Sequence, residues 1–182
     1  NGEFTDSLNG WEKVGVVFDT GESAVLSDAG GARALVFQTA VVPDGIILLQ
    51  LSFDLFTALS PLAGLGQTPD SVFISAFLGT VPFGVNFDAA TFDAAIPILD
   101  ADYRGPANPA SQLAGGPSPK GAGWTRYSMP FPSTAFATLA FEFIDGNGVA
   151  GDSTAAVDNV ALEGLPIPEP GFVAVLAATS FF

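Results

Sequence analysis

Residues 49–55 read Leu-Gln-Leu-Ser-Phe-Asp-Leu, so every second side chain is apolar and those between are polar. Because successive side chains of a β-strand point to opposite faces, this alternation predicts a strand with one buried face and one outward face. Phe141 and Phe143, on either side of Glu142, repeat the pattern much later in the chain. The two stretches indicate a layered β-sheet protein whose core lies between sheets.

Other runs rich in Val, Ile, Phe and Thr lie between clusters of Gly, Pro, Asp and Ser, and helical periodicity is nearly absent. The sequence therefore predicts an all-β fold, an antiparallel β-sandwich of the jelly-roll kind with an apolar C-terminal extension. The predicted strands are residues 14–18, 23–26, 34–42, 46–59, 71–78, 124–129, 138–144 and 155–162.

Residues 102–123 contain four prolines and five glycines, a composition that suits neither a long helix nor a central strand. We interpret this stretch as a long surface connection, which either carries no chemistry or clasps a neighbour or ligand.

The charge of the chain is strongly one-sided, with 5 Lys and Arg against 19 Asp and Glu and a formal net charge of −14. Binding to nucleic acid or to anionic lipid needs basic clusters that replace counterions, and five scattered cations cannot form one. Neither nucleic acid nor an anionic membrane surface is therefore expected as a partner.

The sequence contains no His and no Cys, which excludes Cys nucleophiles, Ser-His-Asp triads, imidazole acid-base catalysis and ordinary zinc sites. A carboxylate pair of the glycosidase type remains, and Asp54 and Glu142 could face each other across neighbouring strands. The simpler interpretation is that both are solvated residues on the outward faces of their strands. We therefore expect a protein that is not an enzyme.

Two distant segments carry a resemblance to a known family. The chain opens with Asn1-Gly2-Glu3-Phe4 and Leu8-Asn9-Gly10-Trp11, and residues 152–162 read DSTAAVDNVAL. Both segments resemble the first and last strands of the galactose-binding-like β-sandwiches of bacteria, a group that includes many carbohydrate-binding modules. The resemblance implies a jelly roll that extends from residue 1 to about 164.

Jelly rolls of this resemblance frequently hold a structural calcium ion where the first strand meets the last. The positions that match are Glu3, Asp152 and Asp158, and calcium accepts six to eight oxygen ligands in irregular geometry. The alternative is that Asp158 bonds backbone amides while Glu3 is solvated. Residues 145–148, Asp-Gly-Asn-Gly, superficially resemble the start of an EF-hand loop, but the glycine at the sixth position and the glutamate at the twelfth position of such a loop are missing. We interpret them as a hairpin turn.

Pro168-Glu169-Pro170 is followed by an apolar segment, 171–182, and this arrangement resembles the PEP-CTERM sorting signal of exported bacterial proteins. The resemblance divides the chain into a sandwich (1–164) and a linker with tail (165–182). It implies an extracellular or cell-surface location. Because the chain opens at Asn1 without a methionine or a leader, we expect that a signal peptide has been removed, the alternative being that the sequence is a fragment. The 12 residues after Pro170 would form a helix of about 18 Å, shorter than a bilayer core of roughly 30 Å, so no full transmembrane anchor is expected.

The apolar tail would promote aggregation if it were exposed to water. It could be buried in its own sandwich, in membrane, or in a groove of the next subunit by strand donation. Because head-to-tail donation does not close on itself, it would produce a homopolymer, a structural filament of the bacterial surface or biofilm matrix. The side chains that would be donated are Phe172, Val173, Val175, Leu176, Phe181 and Phe182.

The alternative function is a calcium-stabilised carbohydrate-binding or adhesion module whose partner is an extracellular polysaccharide. Flat aromatic rings stack on sugars, and the chain offers Trp11, Trp124, Tyr103 and Tyr127, of which Tyr103 and Trp124 are the candidate glycan contacts. Against this, Trp11 lies in a motif position that packs in the core, and Trp124 begins an alternating strand, so we expect both tryptophans to be core residues.

Overall fold

The structure is a computed structural model, and it describes residues 8, 10–29, 31–61, 64–78, 95–106 and 114–165. Within these residues the chain forms twelve strands and no helix. The strands are β1 (Glu12–Val14), β2 (Val16–Asp19), β3 (Ala24–Ser27), β4 (Arg33–Val41), β5 (Leu48–Ala58), β6 (Ser71–Leu78), β7 (Ile96–Asp102), β8 (Gly105–Pro106), β9 (Ala114–Pro117), β10 (Trp124–Pro132), β11 (Phe136–Ile144) and β12 (Thr154–Leu165).

The strands form two antiparallel sheets of six strands each. The first sheet has the order β1-β4-β11-β6-β7-β8, and the second has the order β2-β3-β12-β5-β10-β9. The long strands occupy the middle of each sheet, and the edge strands have only two to four residues. The predicted antiparallel jelly-roll sandwich is confirmed.

The core lies between the two sheets. In β5, Leu49, Leu51 and Phe53 are almost completely buried, as the alternation of residues 49–55 predicts. Phe53 meets Phe141 of the first sheet edge-to-face, with ring centroids 5.6 Å apart and an interplanar angle of 77°. This contact joins the two stretches that decide the fold, because each contributes its apolar face to the same core.

Gly15 divides what the sequence predicts as one strand, residues 14–18. β1 belongs to the first sheet and β2 to the second, and Gly15 turns the chain between them with φ +74°. A Cβ atom at Gly15 would lie 2.1 Å from the backbone oxygen of Arg33. The prediction of a single strand is therefore wrong, because only glycine allows both this φ and this close approach.

Two predicted connections differ from the structure, and one strand was missed. Residues 102–123 contain β8 and β9, and both strands lie at sheet edges, where proline removes no ladder hydrogen bond. β7 was not predicted. Residues 145–148 are not a hairpin turn, because they follow β11 of the first sheet and lead towards β12 of the second.

We predict that Gly15→Ala destabilises the protein by about 2–5 kcal/mol. The left-handed φ costs an alanine about 1–2 kcal/mol, and relieving the contact with Arg33 costs about 1–3 kcal/mol more. Urea denaturation of the full chain measures the loss.

Gly21→Ala is the matched control, because Gly21 has φ +77° but open space around its Cβ position. Its free energy of unfolding should fall only by the cost of placing an alanine at a left-handed φ, about 1–2 kcal/mol. Equal losses in the two variants would contradict the role assigned to the close approach at Gly15.

Candidate functional site

The outer face of the second sheet carries an ordered set of polar and aromatic side chains. Gln50, Ser52 and Asp54 of β5 point away from the core because they alternate with its buried residues. In β10, Arg126 lies opposite Asp54 and Ser128 opposite Ser52. These cross-strand pairs place matched polar groups beside one another.

Arg126 organises the middle of this face. Its Nη1 donates to Asp54 Oδ2 at 3.3 Å and its Nη2 donates to Ser52 Oγ at 2.9 Å. Asn159 Nδ2 donates to the same Asp54 oxygen at 2.7 Å. Asp54 is completely buried beneath these groups, and its Oδ1 has no hydrogen-bond partner among the described residues. The Arg126 side chain itself is 35% exposed and remains accessible from solvent.

A β-bulge in β12 explains how Asn159 reaches this face. The register with β5 shifts between Asp158 and Ala161, and Asn159 has φ +49°, a left-handed conformation that Asn tolerates. Val157 and Val160 on either side are buried in the core. The extra residue therefore allows Asp158 and Asn159 to project outward together. The bulge thus explains why two consecutive polar residues precede the buried Val160.

Trp124 lies at the end of the same face, opposite Phe56 of β5. The two ring centroids are 5.8 Å apart with an interplanar angle of 43°. Lys120 Nζ is 4.9 Å from the centroid of the indole, forms an ion pair with Asp158, and donates to the backbone oxygen of Glu22 at 3.1 Å. The indole is thereby held in place while it remains half-buried.

The expectation that both tryptophans belong to the core is half right. Trp11 is 8% exposed and packs against Phe141 with centroids 5.9 Å apart, so its core position is confirmed. Trp124 is on the outer face, and the prediction is wrong for it. The polar residues Arg126 and Ser128, two and four positions later, share its face, and this pattern could have identified it.

Tyr103 lies in the turn between β7 and β8, at the edge of the first sheet. It is 42% exposed, and the guanidinium of Arg104 is 5.2 Å from its ring centroid. Tyr103 and Trp124, the two predicted glycan contacts, therefore belong to different sheets. Of the two, Trp124 lies on the outer face of the second sheet and Tyr103 does not.

Asp54 and Glu142 lie on opposite outer faces of the sandwich, because each alternates with core residues of its own sheet. They do not flank a common cleft. The expectation that they are solvated is wrong, since both are buried and paired, Asp54 with Arg126 and Glu142 with Arg33. Burial raises the pKa of Glu142, and the neighbouring Arg33 opposes that rise.

The calcium ligands implied by the family resemblance are not brought together within the described part of the chain. Asp158 is paired with Lys120, whereas Asp152 lies beside Asp28 and Asp70, where one oxygen of each acid falls within 4.8 Å of the others. Glu3 lies outside the described residues. The set Glu3, Asp152 and Asp158 stays a prediction.

The apolar tail also stays a prediction, because the proposed donor residues lie outside the described residues: Phe172, Val173, Val175, Leu176, Phe181 and Phe182. In the part of the chain that is described, no helix has both the length and the hydropathy needed to span a bilayer.

Comparison with solved structures gives several similar folds at low sequence identity. The enzymatically active domain of tailspike protein 4 of bacteriophage CBA120 has a TM-score of 0.50 and 16% identity over 91% of this chain, which spans only 21% of the tailspike chain. A family 16 carbohydrate-binding module has a TM-score of 0.44 and 16% identity, with 90% of this chain and 96% of that one covered.

A further neighbour, TmCBM61 in complex with β-1,4-galactotriose, has a TM-score of 0.46 and 8% identity over 91% of this chain and 96% of that one. These similarities concern the fold. No protein-family model and no curated protein sequence matches the chain, so the resemblance to a PEP-CTERM signal has no support from them.

We predict that the two tryptophans differ in solvent access. In Trp11→Phe only Trp124 remains, and its fluorescence should be quenched by acrylamide several-fold more strongly than that of Trp11 in Trp124→Phe, because Trp124 lies on an outer face. Circular dichroism should first show that both variants are folded. Equal quenching would contradict the outward position of Trp124.

Proposed function

We propose that the protein is a non-enzymatic carbohydrate-binding or adhesion module that binds a polysaccharide on the outer face of its second sheet. The observation that carries this proposal is Trp124, a half-buried indole on an outward sheet face in line with Arg126. Core packing explains a buried tryptophan, but it does not explain Trp124, which lies on the face of its strand that points away from the core.

The groups on this face have the chemistry that sugar recognition needs. The indole offers a flat apolar surface for the C–H side of a pyranose ring, and it is already ordered by Phe56 and Lys120, so little conformational entropy is lost on stacking. Arg126 presents planar N–H donors that can bind adjacent hydroxyl groups. Gln50, which donates to Ser128 Oγ, adds an amide oxygen further along the same face.

The row extends along β5 and β10 and therefore favours a chain of sugars over a single one. From Trp124 to Pro130, which lies opposite Gln50, the face extends over six residue steps of β10, about 20 Å at the usual rise per residue. A net charge of −14 opposes binding of polyanionic glycans. We therefore propose a neutral polysaccharide as the ligand, encountered at the bacterial surface or outside the cell.

Filament formation by tail donation finds less support in the described residues. Donation requires a sheet edge with free backbone groups along most of a strand. The edge strands β1, β8, β2 and β9 have three, two, four and four residues. Each of these four strands by itself offers little backbone to an added strand, whereas residues 158–165 of β12 extend beyond the part of β12 that pairs with β3. Tail donation stays a prediction, because the donor residues lie outside the described residues.

We predict that Trp124→Ala weakens polysaccharide binding at least about tenfold, because the stacking surface of a central aromatic residue is removed. A glycan array with neutral plant and bacterial polysaccharides identifies the ligand for the full chain, and affinity electrophoresis in that ligand then compares the variants. Arg126→Lys should also weaken binding, since it keeps the charge beside Asp54 but loses the planar donor fork.

Tyr103→Ala is the control, because it removes an exposed aromatic ring from the other sheet. Its binding should equal that of the unmodified protein. If the intact protein retains no glycan, or if Tyr103→Ala abolishes binding and Trp124→Ala does not, the proposal fails.

A further inference from the structure

Three acidic residues from three separate loops meet at one end of the sandwich. Asp28 follows β3, Asp70 immediately precedes β6, and Asp152 lies in the connection between β11 and β12. One carboxylate oxygen of each is within 4.8 Å of the others. Because β3 and β12 belong to the second sheet and β6 to the first, the three acids link both layers.

Asp70 is fully buried and organises the loop. Its Oδ1 accepts the backbone N–H groups of Gly146 and Asn147 at 2.9 and 3.1 Å, and its Oδ2 accepts Asn147 Nδ2 at 3.0 Å and Ser153 Oγ at 2.5 Å. Residue 146 must be glycine, because a Cβ there would lie 2.4 Å from the backbone oxygen of Pro69. Asp70 is saturated by these donors and contributes a fixed negative charge.

Asp28 is also fully buried but is only half satisfied. Its Oδ1 accepts the N–H of Gly151 at 2.8 Å, while its Oδ2 has no hydrogen-bond partner among the described residues. Burial raises the pKa of Asp28, the Gly151 N–H offsets part of that rise, and the adjacent Asp152 carboxylate adds to it. A buried carboxylate oxygen beside a second carboxylate is costly unless a positive group compensates for it.

No basic side chain is available to compensate. The whole chain has five Lys and Arg residues. Four of them are paired elsewhere, Arg33 with Glu142, Arg104 with Asp102, Lys120 with Asp158, and Arg126 with Asp54. The fifth, Lys13, lies on edge strand β1, and in the described part of the chain none of the three clustered acids forms an ion pair.

We infer that this cluster is a divalent-cation site, with the Oδ2 atom of Asp28 and the exposed carboxylate of Asp152 as ligands and Asp70 as the organising charge. The available donors are all oxygens, which suits a hard cation, and the chain has no His or Cys to favour zinc. Calcium fits better than magnesium, because calcium accepts irregular oxygen geometry, whereas magnesium demands a near-ideal octahedron and gives up its water ligands reluctantly. The site differs from the family-implied set Glu3, Asp152 and Asp158, and it shares no residue with the glycan-binding face.

The test is thermal unfolding of the full chain in EGTA, in CaCl2 and in MgCl2, together with calorimetric titration of CaCl2. We expect one bound calcium with a Kd of about 0.1 mM, the weak range of extracellular sites. At a free concentration about 100-fold above Kd, the Tm should rise by about 5–10 °C.

The variant Asp28→Asn distinguishes two roles for Asp28, that of a metal ligand and that of a carboxylate needed only for the fold. The amide oxygen can still accept the Gly151 N–H, so the Tm in EGTA should stay the same or rise, while calcium binding should weaken at least tenfold. Asp152→Asn should also weaken binding. Asp44→Asn, which removes one exposed charge in the turn before β5, is the control and should keep the full calcium response.

Absence of any calcium-dependent rise in Tm would overturn the inference. Equal stabilisation by magnesium would overturn the choice of calcium. A full calcium response in Asp28→Asn would overturn the location and favour the family-implied residues instead. Because the readouts are Tm and heat of binding, failure here is distinguishable from failure of the glycan proposal.

Discussion

The scarcity of basic side chains is the constraint on which the rest of the structure depends. The fold buries carboxylates on both outer faces of the sandwich, and Glu142 and Asp54 each have an arginine beside them. Removing one partner of such a pair would leave an uncompensated buried charge, a change that costs several kcal/mol, roughly 3–5, in other proteins. With four of five cations committed in this way, other acidic clusters must be solvated, protonated or bound to a cation from solution.

The same constraint shapes the outer face of the second sheet. Arg126 neutralises Asp54, and Lys120 both pairs with Asp158 and lies against Trp124. The bulge at Asn159 supplies the geometry, since it turns two consecutive polar residues outward without removing Val157 or Val160 from the core. The pairing that stabilises buried acids therefore also fixes the groups that we propose contact the glycan, so in that proposal stability and recognition use the same side chains.

Much of the fold could be predicted from the sequence, because alternation is a local property. Residues 49–55 and 141–143 behave as their pattern predicts. The break at Gly15 could not be predicted, since the requirement for glycine comes from the Arg33 backbone, which is distant in sequence. The site was only partly predictable. The face of Trp124 follows from its neighbours in β10, but the meeting of Asp28, Asp70 and Asp152 depends on three loops whose contacts no local pattern encodes.

The position of the last two strands has a consequence for how the protein is made. β11 joins β4 to β6 in the first sheet, and β12 joins β3 to β5 in the second. Before residues 136–165 leave the ribosome, each sheet can exist only as two unconnected pieces with unpaired inner edges. The nascent chain therefore cannot close its core until synthesis has passed β12, and a chain that terminates early leaves both layers divided and exposed to aggregation.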